Sequence, residues 1–159
     1  MPVIRSLAAV LAVLAVLGGC AVAMAGPVLA DDSLNGHYQA VVDGSRANPL
    51  GGILIVNTQC DPTGNCTGWV STPKTWGAAI NKSPGGSWTI SRTDPTAWTC
   101  GDGSKAPADL VYSFAPTGLA GSITATKAAG GCGDPATPTT THSLQVQQCV
   151  DVPGRGVCP

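Results

Sequence analysis

Glycine and proline divide the chain into short segments, and this limits the available folds more than any other feature. The 159 residues include 21 Gly and 13 Pro, and from Asp31 onward no segment keeps a helical hydrophobic period over 11 residues. Because amphipathic helices need longer uninterrupted periodic segments, a helical bundle is excluded. The segments between the breaks are rich in Val, Ile, Thr, Trp and Tyr, which favour β-strands.

Eight segments are predicted to be strands, and several alternate in hydrophobicity as half-buried strands do. Trp88 and Ile90, for example, share one face, with Thr89 on the other. The predicted strands are residues 37–42, 52–58, 67–71, 76–80, 87–92, 110–114, 119–126 and 140–149. Residues 106–110 are expected to form a single helical turn. Short strands joined by turn sequences such as residues 116–118 predict an all-β domain, an antiparallel up-and-down sandwich or barrel of about 7–9 strands.

The N-terminal segment predicts export. Arg5 precedes an apolar stretch over residues 7–25, and small residues follow before Asp31. This order is typical of a signal peptide over residues 1–30, cleaved after Ala30 to leave one domain over residues 31–159. Two alternatives remain open. Leu-Gly-Gly-Cys ending at Cys20 resembles a lipobox whose cysteine carries lipid, and the apolar stretch approaches the roughly 20 residues of a membrane helix. All three interpretations place the rest of the chain outside the cytoplasm, in the cell envelope or the medium.

The six cysteines after Cys20 predict disulfides, because an exported chain enters an oxidising compartment. Six cysteines allow many connectivities, and the sequence alone does not choose among them. Local closure favours three pairs: Cys60–Cys66, Cys100–Cys132 and Cys149–Cys158. The last pair would pin the C-terminal tail, residues 148–159. A zinc site is disfavoured because the chain has no C-x-x-C pair, so no metal or cofactor is expected.

Composition narrows the range of partners. The chain is 43% hydrophobic with a formal charge of −1, which argues against a disordered tail and leaves no basic surface for nucleic acid. The expected partner is an unidentified envelope or extracellular ligand, and membrane contact is expected only through the signal segment or a lipidated Cys20. The oligomeric state stays open.

Residues 135–141, rich in Thr and Pro, are predicted to be an exposed loop, with O-glycosylation of residues 137–141 as the alternative.

The residues available for catalysis are few. His37 and His142 are the only histidines, so a Ser–His–Asp hydrolase would have to use one of them. Both are interpreted as structural, and the chain has no G-x-S-x-G motif. Most of the nine Asp stand before Gly or Pro, where a carboxylate usually accepts nearby backbone N–H groups. The sequence therefore predicts a non-catalytic binding domain. A small extracytoplasmic hydrolase and a secreted interaction protein, such as an inhibitor or host-directed effector, are the alternatives.

Four tryptophans and a single phenylalanine supply most of the large aromatic side chains. The tryptophans are therefore expected to fill much of the core. The alternative is that some of them line a sugar-binding or apolar-ligand surface, for which Trp69, Trp76 and Trp98 are the candidates.

Six short segments together resemble a known group of proteins. They are residues 34–38 (Leu-Asn-Gly-His-Tyr), 88–90 (Trp-Thr-Ile), 98–104 (Trp-Thr-Cys-Gly-Asp-Gly-Ser), 111–114 (Val-Tyr-Ser-Phe), 119–121 (Leu-Ala-Gly) and 131–133 (Gly-Cys-Gly). The chain resembles small exported β-rich mycobacterial domains of unknown function, which are similar to extracytoplasmic domains of some membrane Ser/Thr kinases. The resemblance covers about residues 34–148. It implies a β-rich domain with Cys60–Cys66 and Cys100–Cys132 paired, and it implies no catalytic residues. Cys149–Cys158 lies beyond it and rests on spacing alone.

Overall fold

The computed structural model is an antiparallel barrel of eight strands. It describes residues 33–73, 76–152 and 155–158, so the predicted signal peptide, with Cys20 and Ala30, lies outside the described residues. The strands are β1 (Asn35–Val42), β2 (Gly52–Cys60), β3 (Cys66–Ser71), β4 (Gly77–Lys82), β5 (Trp88–Thr99), β6 (Lys105–Phe114), β7 (Ala120–Lys127) and β8 (Thr139–Gln148). Each strand pairs with the next, and β1 pairs with β8, which closes the barrel without a free edge.

The all-β, up-and-down class is confirmed, and every predicted strand has a counterpart in the barrel. The helical turn expected at residues 106–110 is wrong, because this segment belongs to β6. Ala106, Ala108 and Leu110 are buried while the residues between them are exposed. This two-residue period is the period of a half-buried strand.

Strand β5 is longer than predicted. The sequence Asp94-Pro95 indicates a break after Arg92, yet the strand continues to Thr99. A bulge absorbs the break, since the pairing register with β6 shifts between Asp94 and Trp98. Proline is tolerated within a bulge because a bulged residue is left unpaired, so the ladder does not need the N–H group that proline lacks. The strand predicted at residues 76–80 includes Trp76, which instead directly precedes β4.

Inward-facing side chains fill the middle of the barrel, as expected for a barrel of eight strands. The largest of those less than 2% exposed are Trp88, Tyr112, Ile80, Ile90, Leu110, Ile123, Val42, Val70 and Cys66. The interior is therefore a packed core. A ligand is left with the ends of the barrel and its outer face.

The two ends of the barrel carry different disulfides. The Cys60 end, where β1, β3, β5 and β7 begin, holds Cys60–Cys66 and Cys149–Cys158. The Cys100 end, where those strands finish, holds Cys100–Cys132. These are the three pairs that local closure favours. Beyond the barrel, β9 (Val150–Val152) and β10 (Arg155–Val157) form a small hairpin enclosed by Cys149–Cys158.

Two further features concern the surface. Residues 135–141 are exposed, and the last three of them belong to β8. Within residues 33–73, 76–152 and 155–158, no helix has both the length and the apolar character needed to cross a bilayer.

Candidate functional site

A half-enclosed cavity of about 270 Å³ lies at the Cys100 end of the barrel. The mouths of β-barrels are recurrent sites for small-molecule binding. Trp76 and Thr72 line the cavity from the β3–β4 loop, Arg92 and Asp94 line it from β5, and Ile53 lines it from β2. The cavity therefore combines an aromatic and apolar wall with a small number of polar groups.

Arg92 is the central polar residue of this cavity. Its side chain is 8% exposed, and its guanidinium lies over the Trp76 indole, with Cζ 4.2 Å from the ring centroid. Nη1 donates to Asp94 Oδ2 at 2.8 Å, and Nη2 donates to the Tyr112 hydroxyl at 3.2 Å. The Tyr112 hydroxyl in turn donates to the Leu50 carbonyl at 3.0 Å. Three neighbours, Trp76, Asp94 and Tyr112, thus fix the guanidinium in one orientation.

Asp94 lies two residues after Arg92 on the same face of β5, at the start of the bulge. Within it, Asp94 Oδ1 accepts hydrogen bonds from the Thr96 backbone N–H at 2.9 Å and the Thr96 hydroxyl at 3.0 Å. Burial by itself would raise the pKa of Asp94, but the bonds from Thr96 and Arg92 outweigh it and leave the pKa below its usual value. Asp94 is therefore ionised at neutral pH and balances the charge of Arg92.

The Tyr112 hydroxyl is protonated at neutral pH and therefore remains a hydrogen-bond donor. Burial raises the pKa of its phenol, and the nearby positive charge of Arg92 offsets only part of that rise. The protonated hydroxyl can therefore donate to Leu50 and accept from Arg92 at the same time.

Two polar atoms of cavity-lining residues have no hydrogen-bond partner. They are Arg92 Nε and Thr72 Oγ1, and both are buried. Among the described residues only four buried side-chain atoms are unpaired in this way, so half of them belong to this one cavity. Each such atom costs about 1–3 kcal/mol if it stays unpaired. Each of these atoms could still form a hydrogen bond with a water molecule or a ligand at the cavity.

The inward position of Arg92 could have been found from the sequence. Trp88, Ile90 and Arg92 follow one another at the two-residue period of a strand, so the same alternation that buries the first two turns Arg92 inward. A charged residue in that position is rarely buried unless it is paired or functional. Thr72 gave no comparable signal, because it lies in a loop.

The four tryptophans have different environments. Trp88 is fully buried, and Trp98 is half-buried and packs against the core. Trp76 is half-buried and lines the cavity. Trp69 is 56% exposed on the outer face of β3. Of the three candidate ligand aromatics, Trp76 is therefore the one that shares the cavity with Arg92.

A second polar cluster lies at the same end of the barrel. His142 Nδ1 is 2.7 Å from Asp43 Oδ2, and His142 Nε2 is 3.4 Å from Thr140 Oγ1. Asp43 Oδ1 also accepts the Ser143 backbone N–H at 2.9 Å. This order of carboxylate, imidazole and hydroxyl is that of a Ser–His–Asp site. The cluster also ties the turn after β1 to β8.

His37, the other candidate histidine, lies near the Cys60 end, where its carbonyl accepts the Cys149 N–H.

The cysteines of the domain have no free thiolates to offer a metal. All six are joined in disulfides. In the part of the chain that the structure describes, no group of three or more His, Cys, Asp or Glu side chains could hold a metal ion.

Comparison with known proteins assigns no family. No family model matches the chain, and no curated protein or solved structure is significantly similar to it. The resemblance to exported mycobacterial domains therefore stays a prediction, and the function has to be inferred from the geometry.

Acid is expected to remove the contribution of the Asp43 contacts to stability. The hydrogen bond from His142 and those from Ser143 hold the pKa of Asp43 below its usual value near 3.8. A carboxylate with a lowered pKa stabilises the fold above about pH 3.8, and this contribution is lost as the pH falls through the lowered value. Asp43→Asn should therefore lower the thermal unfolding midpoint at neutral pH, and the difference from wild type should shrink below pH 3.8.

The matched control for Asp43→Asn is Asp109→Asn, which removes another exposed carboxylate that accepts a single hydroxyl, from Thr93. Thermal unfolding of the wild-type protein and of both variants would be followed by circular dichroism from neutral pH through the acid range. If the unfolding midpoints of Asp43→Asn and wild type differ by the same amount at every pH, the ionised Asp43 carboxylate is not the source of the stabilisation.

Proposed function

We propose that the chain is a non-catalytic binding domain that works in the cell envelope or outside the cell and takes a small ligand at the Cys100 end of its barrel. The three intramolecular disulfides indicate an oxidising, extracytoplasmic environment. Release after Ala30, a lipid on Cys20 and the mycobacterial resemblance are predictions that fit this role.

The cavity around Arg92 carries the proposal. Its volume of about 270 Å³ is at the lower limit of small-molecule pockets, about 300–1,000 Å³, so the ligand is small. Asp94 already balances the charge of Arg92, so an anion would be repelled by the carboxylate and a cation by the guanidinium. The cavity therefore favours a neutral molecule.

The unpaired atoms specify which polar group this ligand carries. Arg92 Nε–H is a donor, and the Thr72 hydroxyl can act as a second donor. Trp76 and Ile53 offer an apolar wall beside them. A ligand with a carbonyl oxygen attached to a flat apolar body would offer these donors an acceptor and cover that wall.

Thr72→Val is expected to weaken ligand binding without weakening the fold. Valine has nearly the same shape but lacks the hydroxyl, and this hydroxyl has no hydrogen-bond partner in the protein. Removing an unpaired buried hydroxyl should leave the free energy of unfolding unchanged or raise it. Losing one hydrogen bond to a ligand should weaken affinity by about 3–10-fold. The probes are small neutral lactams, cyclic ketones and amides, titrated into ¹⁵N-labelled protein and followed by NMR.

Two further variants make this test decisive. Arg92→Lys keeps the positive charge but removes Nε, so it should abolish the binding that wild type shows. Thr124→Val changes a threonine on the outer wall of β7 and should leave binding unchanged. The proposal is wrong if none of the neutral carbonyl compounds shifts resonances of cavity residues. It is also wrong if Thr72→Val destabilises the fold while affinity stays at the wild-type value.

A hydrolase is the second candidate function, predicted for His142 or His37. The observation that favours it concerns His142, whose imidazole lies between the Asp43 carboxylate and the Thr140 hydroxyl. Against it, the side chains of His142 and Asp43 are 30% and 45% exposed, whereas acyl-transfer sites exclude water around the developing charge. Hydrolysis of a chromogenic ester that is abolished in both Asp43→Asn and Thr140→Val would favour this candidate over the binding domain.

A further inference from the structure

A second surface with ligand-binding character lies on the outer wall of the barrel. Asn57, Gln59, Thr67, Gly68 and Trp69 line a shallow open depression of about 420 Å³ across β2 and β3, here called the Trp69 surface. It shares no lining residue with the cavity at the Cys100 end. An occupant of the Trp69 surface would therefore be independent of the ligand proposed for Arg92.

The indole of Trp69 lies beside the neighbouring strand β4 at Gly77. Gly77 of the neighbouring strand β4 makes this position available, because a Cβ at Gly77 would come within 2.8 Å of the indole ring. The Nε1–Cε2–Cζ2 edge of the ring therefore lies against Gly77, while the side chain remains 56% exposed. A large aromatic side chain in this arrangement presents a rigid apolar face to solvent without any rearrangement on binding.

Hydrogen-bonding side chains surround the exposed ring. Asn57 is directly opposite Trp69 in the β2–β3 register, and Gln59 is opposite Thr67. Opposite residues have their Cβ atoms about 5 Å apart, so these side chains lie within reach of one ligand. Within the described part of the chain, the side chains of Asn57, Gln59 and Thr67 form no hydrogen bond. Their donors and acceptors are therefore available to a partner.

The surface carries no charge. Strands β2 and β3 contain no charged residue, and the one charged residue of β4, Lys82, is buried. A polyanion, a polycation or a charged peptide would find no complementary group here. The surface suits a neutral partner that has both an apolar face and many hydroxyl groups.

We infer that the Trp69 surface binds a neutral oligosaccharide chain. A pyranose ring has a face of C–H groups that packs against an indole, and a rim of hydroxyls that donate to and accept from amides. The open depression suits a chain that lies along the wall. A folded protein partner would need a far larger apolar area, since stable interfaces bury about 1,200–2,000 Å².

The experiment is a titration of ¹⁵N-labelled protein with neutral hexasaccharides of glucose, galactose, mannose and N-acetylglucosamine, followed by NMR. Saturable shifts are expected at the Trp69 indole N–H and at the side-chain amides of Asn57 and Gln59. Trp69→Ala should weaken the affinity about tenfold or more, because it removes the stacking face.

Gly77→Ala tests the position of the ring beside β4 without deleting the ring. The new methyl group should push the indole away from β4 and weaken sugar binding several-fold, although Trp69 is still present. Val111→Ala, an exposed apolar residue on β6, is the matched control and should bind as wild type does. Arg92→Lys should also bind sugar normally, which separates this inference from the proposed function. The inference is overturned if none of the hexasaccharides produces saturable shifts, or if Trp69→Ala binds like wild type.

Discussion

Trp88→Ala is expected to lower the free energy of unfolding by about 3–5 kcal/mol, the usual range for a large aromatic residue removed from a core. Trp88 is fully buried and pairs with Phe114 on one side and Lys82 on the other. The Lys82 ammonium lies 5.8 Å from the centre of the indole. Alanine would leave a cavity at the Cys60 end and remove this cation–π contact. Urea unfolding followed by far-UV circular dichroism measures the loss without depending on tryptophan fluorescence.

The matched control for this prediction is Trp69→Ala, the same substitution at an exposed site. Because Trp69 is 56% exposed, its removal should change stability by less than about 1 kcal/mol. A similar loss of stability in the two variants would mean that the burial assigned to Trp88 is wrong.

Replacing Cys100 and Cys132 together by alanine is expected to cost about 3–4 kcal/mol, against about 2.4 kcal/mol for the same double replacement at Cys60 and Cys66. The reason is the length of the loop that each bond closes in the unfolded chain. The two cysteines are 32 residues apart in the first pair and 6 apart in the second. A longer closed loop removes more conformational freedom from the unfolded state, and its loss therefore destabilises the fold more.

Denaturant unfolding of the two double variants in parallel tests this order. Alanine replaces both cysteines in each variant, so no free thiol remains to complicate refolding. If the variant without Cys60–Cys66 proves the less stable of the two, the loop-length explanation fails for this domain.

The architecture could be predicted from the sequence in part. Glycine and proline positions and the two-residue alternation located all eight strands, because both features act locally. The choice between sandwich and barrel depends on whether β1 pairs with β8, for example Ala40 with Val146. These residues are far apart in sequence, and no local feature reports their pairing.

The same limit explains why the sequence predicts only part of the candidate site. Pro95 after Asp94 predicts a turn, whereas pairing with β6 extends the strand through Asp94 and leaves it on the same face as Arg92. The four tryptophans could not be sorted by environment either. The indole of Trp69 lies beside Gly77 of the next strand and Trp76 lies under the Arg92 guanidinium, and no local feature of the sequence reports either contact. The Asp43–His142 contact joins residues 99 positions apart.

The most direct measurement on the proposed binding site is the NMR resonance of the Arg92 Nε–H during titration with small neutral carbonyl compounds. This N–H is buried and has no partner in the protein, so a ligand oxygen that accepts it should shift the resonance downfield in a saturable manner. The Trp76 indole, which lies against the guanidinium, should respond over the same concentration range. An Arg92 Nε–H resonance that stays unchanged, while the compounds bind elsewhere or not at all, would contradict the assignment of this cavity as the binding site.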